Sequence, residues 1–272
     1  MPELPEVEVT RRGIAPYLVG RTIASVNVRE PRLRWRVPPT LAAVAGRTVR
    51  SVGRRGKYLL IDCGTGHVLV HLGMSGSLQL VAARTPPGKH DHVDFVLGPP
   101  GARLLRLRDP RRFGAVLWTE APPDAHPLLR HLGVEPLSKE FDAHRLHALA
   151  RGHRVPIKQF LMDARRIVGV GNIYASEGLY LAGIRPQTAA RRLSRARWAL
   201  LVTAVRATLR AAIRAGGSSL RDYVNSSGAL GCFQTRYHVY GRAGEPCRRC
   251  ATPIRRLLQR QRATYYCPGC QR

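Results

Sequence analysis

Four cysteines near the C-terminus constrain this chain more than anything else in it. Cys247, Cys250, Cys267 and Cys270 form the pattern C-x2-C-x16-C-x2-C. Each CxxC pair can offer two thiolates to one ion, and the segment between suits a hairpin that returns the second pair to the first. Four sulfurs then close a tetrahedral Zn2+ shell with no open position, so the zinc is a structural cofactor and not a catalytic one. Two disulfides or a redox CxxC could use the same residues. Disulfides are disfavoured in a chain expected to be cytoplasmic, and a redox motif does not call for two pairs at zinc spacing. Cys63 and Cys232 have no such companions and read as ordinary thiols. Between the pairs, Arg255, Arg256, Arg260 and Arg262 crowd a turn, where guanidinium groups can meet phosphates.

Charge points the same way. Lys+Arg number 45 against 17 acids, a net charge of +28. A field of that sign and size attracts polyanions, nucleic acid first among them. Only four of the 45 are lysines (Lys57, Lys89, Lys139 and Lys158), so part of the charge is an arginine bias in composition. The Coulomb attraction does not depend on that origin. No run of about 18 apolar residues exists, which argues against a transmembrane helix. The opening MPELPEVEV carries acids where a secretory signal carries positive charge. A cytoplasmic monomer with no membrane partner is the expectation.

The patterning predicts an α+β chain. Residues 1–133 look β-rich behind one leading helix, from Pro5 to Leu18, with Val7, Ile14 and Leu18 on one side and Arg11 and Arg12 on another. Strand-like runs follow at Thr22–Val28, Tyr58–Ile61, His67–His71, Val93–Leu97, Leu104–Leu107 and Ala115–Trp118, cut by Gly- and Pro-rich turns. Many short strands at this spacing suggest two packed sheets. After the linker 133–138, helical patterns cover 139–150, 156–163, 173–182 and 194–215, within a region taken as 134–236. Residues 216–232, rich in Gly and Ser, read as a mobile loop. The cysteine module occupies 237–272.

The N-terminus offers a nucleophile. Removal of Met1 would leave Pro2 as a secondary amine, able to attack an electrophilic carbon and form an iminium. An α-amino group has a pKa of about 7.7–8.0, so a useful fraction is neutral near pH 7. Glu3 beside it is placed to give a proton, and Glu6 follows at helical spacing. Taken alone, Pro2 reads as an ordinary processed terminus.

Nine ordered motifs resolve that choice. MPELPEVE opens the chain, GRRGKYLL stands at 53–60, HLGMSGSL at 71–78, KHDHVDF at 89–95 and LRDPRRFGAVLW at 107–118. VGVGNIYASE follows at 168–177, GGSSLRDY at 216–223, VYGRAGEPC at 239–247 and QRATYYCPGCQ at 261–271. In this set the sequence resembles the bacterial formamidopyrimidine-DNA glycosylases. The resemblance implies an N-terminal β-sandwich with a leading helix, a helical helix-two-turn-helix domain and a four-Cys zinc finger, with damaged double-stranded DNA crossing between them. It implies removal of oxidised purines such as 8-oxoguanine and formamidopyrimidines, then strand cleavage by β,δ-elimination through a Schiff base. The family's nucleophile falls on Pro2, its acid on Glu3, its β-elimination donor on Lys57 and its δ-elimination donor on Arg262, with Glu6 counted among the catalytic residues.

Chemistry on a base inside a duplex requires the nucleotide to leave the stack, and something must fill the gap. The resemblance assigns that task to Met74, Arg111 and Phe113. On local sequence alone Met74 and Phe113 would be core residues. DNA contacts carry over to His71, His90, Arg111, Asn172 and Arg262, while Asn172 on its own reads equally as a helix cap. At 151–154 the chain has RGHR where relatives often have a lysine cluster, so His153 is the weakest of the DNA-contact assignments. GCFQ in place of a GYFQ-type stretch leaves the base contacts of the 216–232 loop open. Rival readings are an endonuclease VIII-like enzyme for oxidised pyrimidines, a non-catalytic zinc-ribbon DNA-binding protein and an N-terminal-proline tautomerase. The LPEVE start, Met74 and the Arg111/Phe113 pair favour the purine enzyme. A zinc ribbon leaves PELPE and Lys57 idle, and a tautomerase explains neither cysteines nor charge.

Overall fold

The structure, a computed structural model, describes all residues except 1, 102, 219–225 and 227. It separates into two compact units, Met1–Arg130 with Ala215–Cys232, and His131–Arg214 with Phe233–Arg272.

The first unit opens with helix α1 (Leu4–Leu18). Pro5 sits in its first turn, where a missing N–H costs nothing, and Leu4, Val7, Ile14 and Leu18 form its buried stripe. Among the described residues nine strands follow: β1 (Thr22–Val28), β2 (Arg47–Thr48), β3 (Ser51–Arg55), β4 (Tyr58–Asp62), β5 (His67–His71), β6 (Ser77–Ala82), β7 (Asp91–Leu97), β8 (Arg103–Arg108) and β9 (Ala115–Thr119). They form two antiparallel sheets, in the orders β2-β1-β7-β8-β6 and β3-β4-β5-β9. One core joins α1 to both: Val7 and Ile14 share it with Ile23, Phe95 and Leu105 of the first sheet, and with Leu59, Ile61, Val68 and Val116 of the second. This is the expected β-sandwich with a leading helix.

Three strands escaped the sequence reading. β2 has two residues, β3 (SVGRR) is polar with a central glycine, and β6 (SLQLVA) opens on serine with a glutamine inside its apolar run. The segment expected as loop at 216–232 begins with Gly216 and Gly217 at φ of 75° and 80°, and a bridge pairs Ser218 with Cys232. Its residues 219–225 and 227, where base contacts were expected, lie outside the described residues.

The second unit holds α2 (Ala143–Ala150), α3 (Ile157–Met162), α4 (Asn172–Leu181) and α5 (Arg195–Arg214), then a hairpin of β10 (Arg255–Gln259) and β11 (Arg262–Tyr266). The helix expected from residue 139 starts only at Ala143. Asp142 terminates it on that side, its carboxylate accepting from the Arg145 N–H at 2.9 Å. α5 buries Trp198, Leu201, Val205 and Leu209 and packs on α2 and α4. The approach to α4 is close: a Cβ on Gly178 would stand 2.9 Å from the Val205 side chain. Among the described residues, no helix is long and apolar enough to cross a membrane.

Candidate active site and metal centre

In the first unit, α1 organises the catalytic candidates. Pro2 and Glu3 are buried at its N-terminus. Glu6 is also buried, and both its oxygens are used: one accepts from the Glu3 N–H at 2.8 Å, the other from the Ser218 N–H at 2.8 Å. Glu6 therefore pins Glu3, the neighbour of Pro2, to the start of the 216–232 segment. A Cβ at Gly217 would come within 3.1 Å of the same carboxylate, and the left-handed φ there suits glycine.

Two residues further, Glu8 receives Arg11 (2.9 and 3.0 Å), Arg12 (2.7 Å) and Arg54 (3.3 Å). Burial alone would raise the Glu8 carboxyl, but hydrogen bonds from Arg11 and Arg12 and the nearby charges hold it at about 2. Arg54 also donates to the Gly56 carbonyl at 2.7 Å, bracing the β3–β4 turn that carries Lys57. Lys57 is half-buried in that turn. Sequence spacing could place Glu6 on the helix, but not these partners.

His71, at the end of β5, accepts from the Gly73 N–H on Nδ1 at 3.0 Å and packs against Tyr58. Burial, helped by the charges of Lys57 and Arg34, lowers its pKa to about 4. The neutral ring then carries its proton on Nε2, which is a donor at neutral pH. His90 is half-buried and lines a cavity of about 390 Å³ with Arg29, Lys89 and Arg112.

Met74 and Phe113 are not core residues: they are 40% and 41% exposed, on the β5–β6 and β8–β9 connections. The Arg111 guanidinium lies 4.9 Å from the Phe113 ring centre. The structure thus brings Arg111 and Phe113 together at a solvent-facing tip, and rejects the core alternative for both hydrophobics.

In the second unit, Asn172 is the first residue of α4 and not its cap; Gly171 holds that position. Its side-chain amide accepts from Lys158 Nζ at 2.5 Å and donates to the Ala263 carbonyl at 3.0 Å and the Tyr240 hydroxyl at 3.4 Å. Lys158, only 1% exposed, also donates to Thr264 Oγ1 at 2.6 Å and to the Ala263 carbonyl at 3.2 Å. A buried ammonium needs such partners to offset its lost hydration. Glu177 completes the network, accepting from the backbone N–H groups of His238, Val239 and Tyr240 at 2.8, 2.9 and 2.9 Å. Lys158 and Glu177 were missed. The signal available for Lys158 was its survival as one of four lysines in an arginine-rich chain.

Beside these anchors, Arg262 is exposed at the start of β11 and its side chain makes no hydrogen bond among the described residues. The turn before it pairs Gln259 with Arg262 and puts Arg260 and Gln261 at φ of 45° and 60°. This is the geometry of a two-residue hairpin turn normally filled by Asn-Gly. His153 lies elsewhere, half-buried against Phe160 with its Nδ1 3.4 Å from Arg166.

The four cysteine sulfurs all lie within 4.8 Å of one another. Three of their separations are 3.4, 3.4 and 3.8 Å. A tetrahedron with Zn–S bonds of about 2.3 Å has edges of about 3.8 Å, so the donor set fits one structural zinc. Backbone N–H groups of Arg249 and Cys270 point at the Cys247 and Cys267 sulfurs at 3.4 Å, and the Tyr180 hydroxyl meets Cys247 at 3.3 Å. Gln271, fully buried, ties the module to the end of α4 by accepting from Cys267 N and donating to Ile184 O, each at 2.8 Å.

A buried Pro2–Glu3 terminus, a braced lysine turn and a zinc hairpin bearing an exposed arginine fit a DNA-processing enzyme of the glycosylase type. Family models match in three consecutive stretches: the formamidopyrimidine-DNA glycosylase N-terminal domain over 1–116, its H2TH domain over 132–224, and the zinc finger found in FPG and IleRS over 244–272. The formamidopyrimidine-DNA glycosylase of Thiobacillus denitrificans is 59% identical over 273 residues, covering 100% of both chains. A point mutant of Lactococcus lactis FPG, in complex with Fapy-dG-containing DNA, superposes with a TM-score of 0.90 at 33% identity over 100% of both chains. The wild-type L. lactis protein with DNA containing an oxidised pyrimidine gives 0.89, again at 33% identity and full coverage. The chain belongs to the formamidopyrimidine-DNA glycosylase family, whose members are DNA glycosylases of base-excision repair.

Proposed function

We propose that this glycosylase excises oxidised purines from duplex DNA and then cleaves the abasic strand by β,δ-elimination. With Met1 removed, the lone pair of Pro2 N attacks C1′ of the damaged nucleotide, and the C1′–N bond breaks towards the base. Glu3 supplies a proton to the sugar ring or leaving group. Loss of the amine proton and opening of the ring leave an iminium between Pro2 and C1′. Loss of a C2′ proton then expels the 3′ phosphate, and loss of a C4′ proton from the resulting conjugated iminium expels the 5′ phosphate; Lys57 and Arg262 are assigned as cationic donors at those departures. His71, His90, Arg111 and Asn172 are assigned to DNA contacts, Met74, Arg111 and Phe113 to the vacated space, and His153 at most to a peripheral contact. The protein is read as a monomer acting on DNA in the cytoplasm, in three parts (1–133, 134–236 and 237–272).

The observation that carries this reading is α1, which holds buried Pro2 and Glu3 at one end and braces the Lys57 turn through Glu8 and Arg54. The test is borohydride trapping on a duplex with 8-oxoguanine opposite cytosine. A covalent adduct at residue 2, lost in Pro2→Gly while DNA affinity remains, is the expected result. No adduct with correctly processed protein would overturn the lyase assignment. The L. lactis complex with an oxidised pyrimidine motivates a second reading, broader specificity, which faster turnover of an oxidised pyrimidine than of 8-oxoguanine would favour.

A further inference from the structure

Asp109 is fully buried and forms no ion pair among the described residues. Its Oδ1 accepts from the Ser75 hydroxyl at 2.8 Å, and its Oδ2 accepts from the Gly114 N–H at 2.7 Å. The Ser75 oxygen accepts in turn from the Arg111 N–H at 3.2 Å. The backbone of Asp109 is held too: its N–H donates to the His90 carbonyl at 2.9 Å, and its carbonyl receives Arg112 N–H at 3.2 Å and His92 Nε2 at 2.8 Å. A carboxylate buried on neutral donors alone is an expensive choice. Packing of the sandwich does not require it.

What it joins explains the choice. Residues 72–76 carry Met74, and residues 109–114 carry Arg111 and Phe113. The two connections touch backbone to backbone: a Cβ on Gly73 (φ 62°) would stand 2.3 Å from the Phe113 carbonyl carbon, and one on Gly114 2.8 Å from the His71 carbonyl oxygen. No side chain can separate them, and Asp109 with Ser75 provides the hydrogen bonds that lock the contact. We infer that the Asp109–Ser75 pair is a buried latch that fixes the spacing of the two gap-filling loops, making both residues positioning residues for eversion of the damaged nucleotide. The inference rests on the gap-filling assignment above. Neither residue is placed against DNA; they act through Met74, Arg111 and Phe113.

The carboxylate is needed for a specific reason. In Asp109→Asn, the amide oxygen can still accept from Gly114 N–H, but the amide NH2 then points at Ser75. Ser75 would have to accept from both that amide and the Arg111 N–H, leaving its own proton without an acceptor in a buried site.

The test compares two substrates under single-turnover conditions: a duplex with 8-oxoguanine opposite cytosine, and the same duplex with a preformed abasic site, which has no base to evert. Asp109→Asn and Ser75→Ala should each slow base excision by about 10- to 100-fold, the scale expected when positioning slips by about 1 Å. Abasic-site cleavage should stay within about twofold. A 2-aminopurine placed beside the lesion should lose its fluorescence rise. If Asp109→Asn does not fold, Ser75→Ala decides alone. Equal slowing on both substrates, or no slowing on either, overturns the latch. Met74→Ala, run in parallel, separates the two layers: if it leaves excision unchanged, the gap-filling assignment has failed. If it slows excision while the latch variants do not, only the latch has failed.

Discussion

At the scale of single residues, burial decides what each side chain does, and burial is what sequence pattern reads least well. Met74 and Phe113 are apolar and look like core, yet glycine-tight turns push them into solvent. Lys158 and Glu177 are charged and look like surface, yet both are buried and fully engaged. His71 gives a direct check. With its pKa lowered to about 4 by burial and the charges of Lys57 and Arg34, its ring should titrate near pH 4 in an NMR pH series. A midpoint at about 6 or above, the ordinary histidine range, would contradict a half-buried, neutral Nδ1 acceptor. Glu8 makes a stability prediction. Its folded pKa is depressed to about 2, so its contribution is present above its unfolded value near 4.5 and is lost as pH falls towards 2. Urea midpoints of the native protein and Glu8→Gln should differ at pH 7 by the equivalent of about 2 kcal/mol, discounted for solvent screening, and converge near pH 2.

At the scale of elements, α1 acts as a frame. Its buried stripe was legible from Val7, Ile14 and Leu18 at helical spacing, and so was its proline start. Its reach through Glu6 to Ser218, and through Glu8 and Arg54 to Gly56, was not, because Ser218 and Arg54 lie 212 and 46 residues from their partners in sequence. The strands with clean apolar runs were found close to their true ends; β3 was not, since its arginines serve partners rather than a pattern. The β10–β11 hairpin invites a different measurement. Arg260 and Gln261 occupy left-handed backbone without the glycine such a turn prefers. Gln261→Gly should stabilise the hairpin by up to about 1 kcal/mol, seen as slower amide exchange along Arg255–Tyr266, with DNA affinity unchanged. Faster exchange would mean that Gln261 makes interactions worth more than the strain.

At the scale of the whole molecule, cysteine spacing and net charge were the most legible features, because both are fixed by composition and order alone. Cys267→Ser should abolish binding of one zinc per chain, measured by metal analysis, and with it the order of the hairpin that carries Arg262. DNA affinity should fall steeply. Arg262→Ala should act more gently: the plot of log affinity against log salt should lose about 0.9 from its slope, the mark of one phosphate contact. An unchanged slope would remove Arg262 from the phosphates. The networks that hold these parts in place link residues far apart in the chain, such as Lys158 with Thr264, and pair spacing cannot announce them.

Lys158 also limits how far this protein could be recoded. With arginine supplying all but four of its 45 basic residues, the chain looks as though either cation would serve almost anywhere. Lys139 is exposed, and exchanging it for arginine should go unnoticed in a melting curve. At Lys158 three acceptors surround a compact ammonium at 2.5, 2.6 and 3.2 Å, and a broad planar guanidinium has neither the room nor the matching directions. Lys158→Arg should cost about 3 kcal/mol of stability and unseat the strand beside Arg262, making this nominally conservative exchange one of the most damaging single-letter edits available.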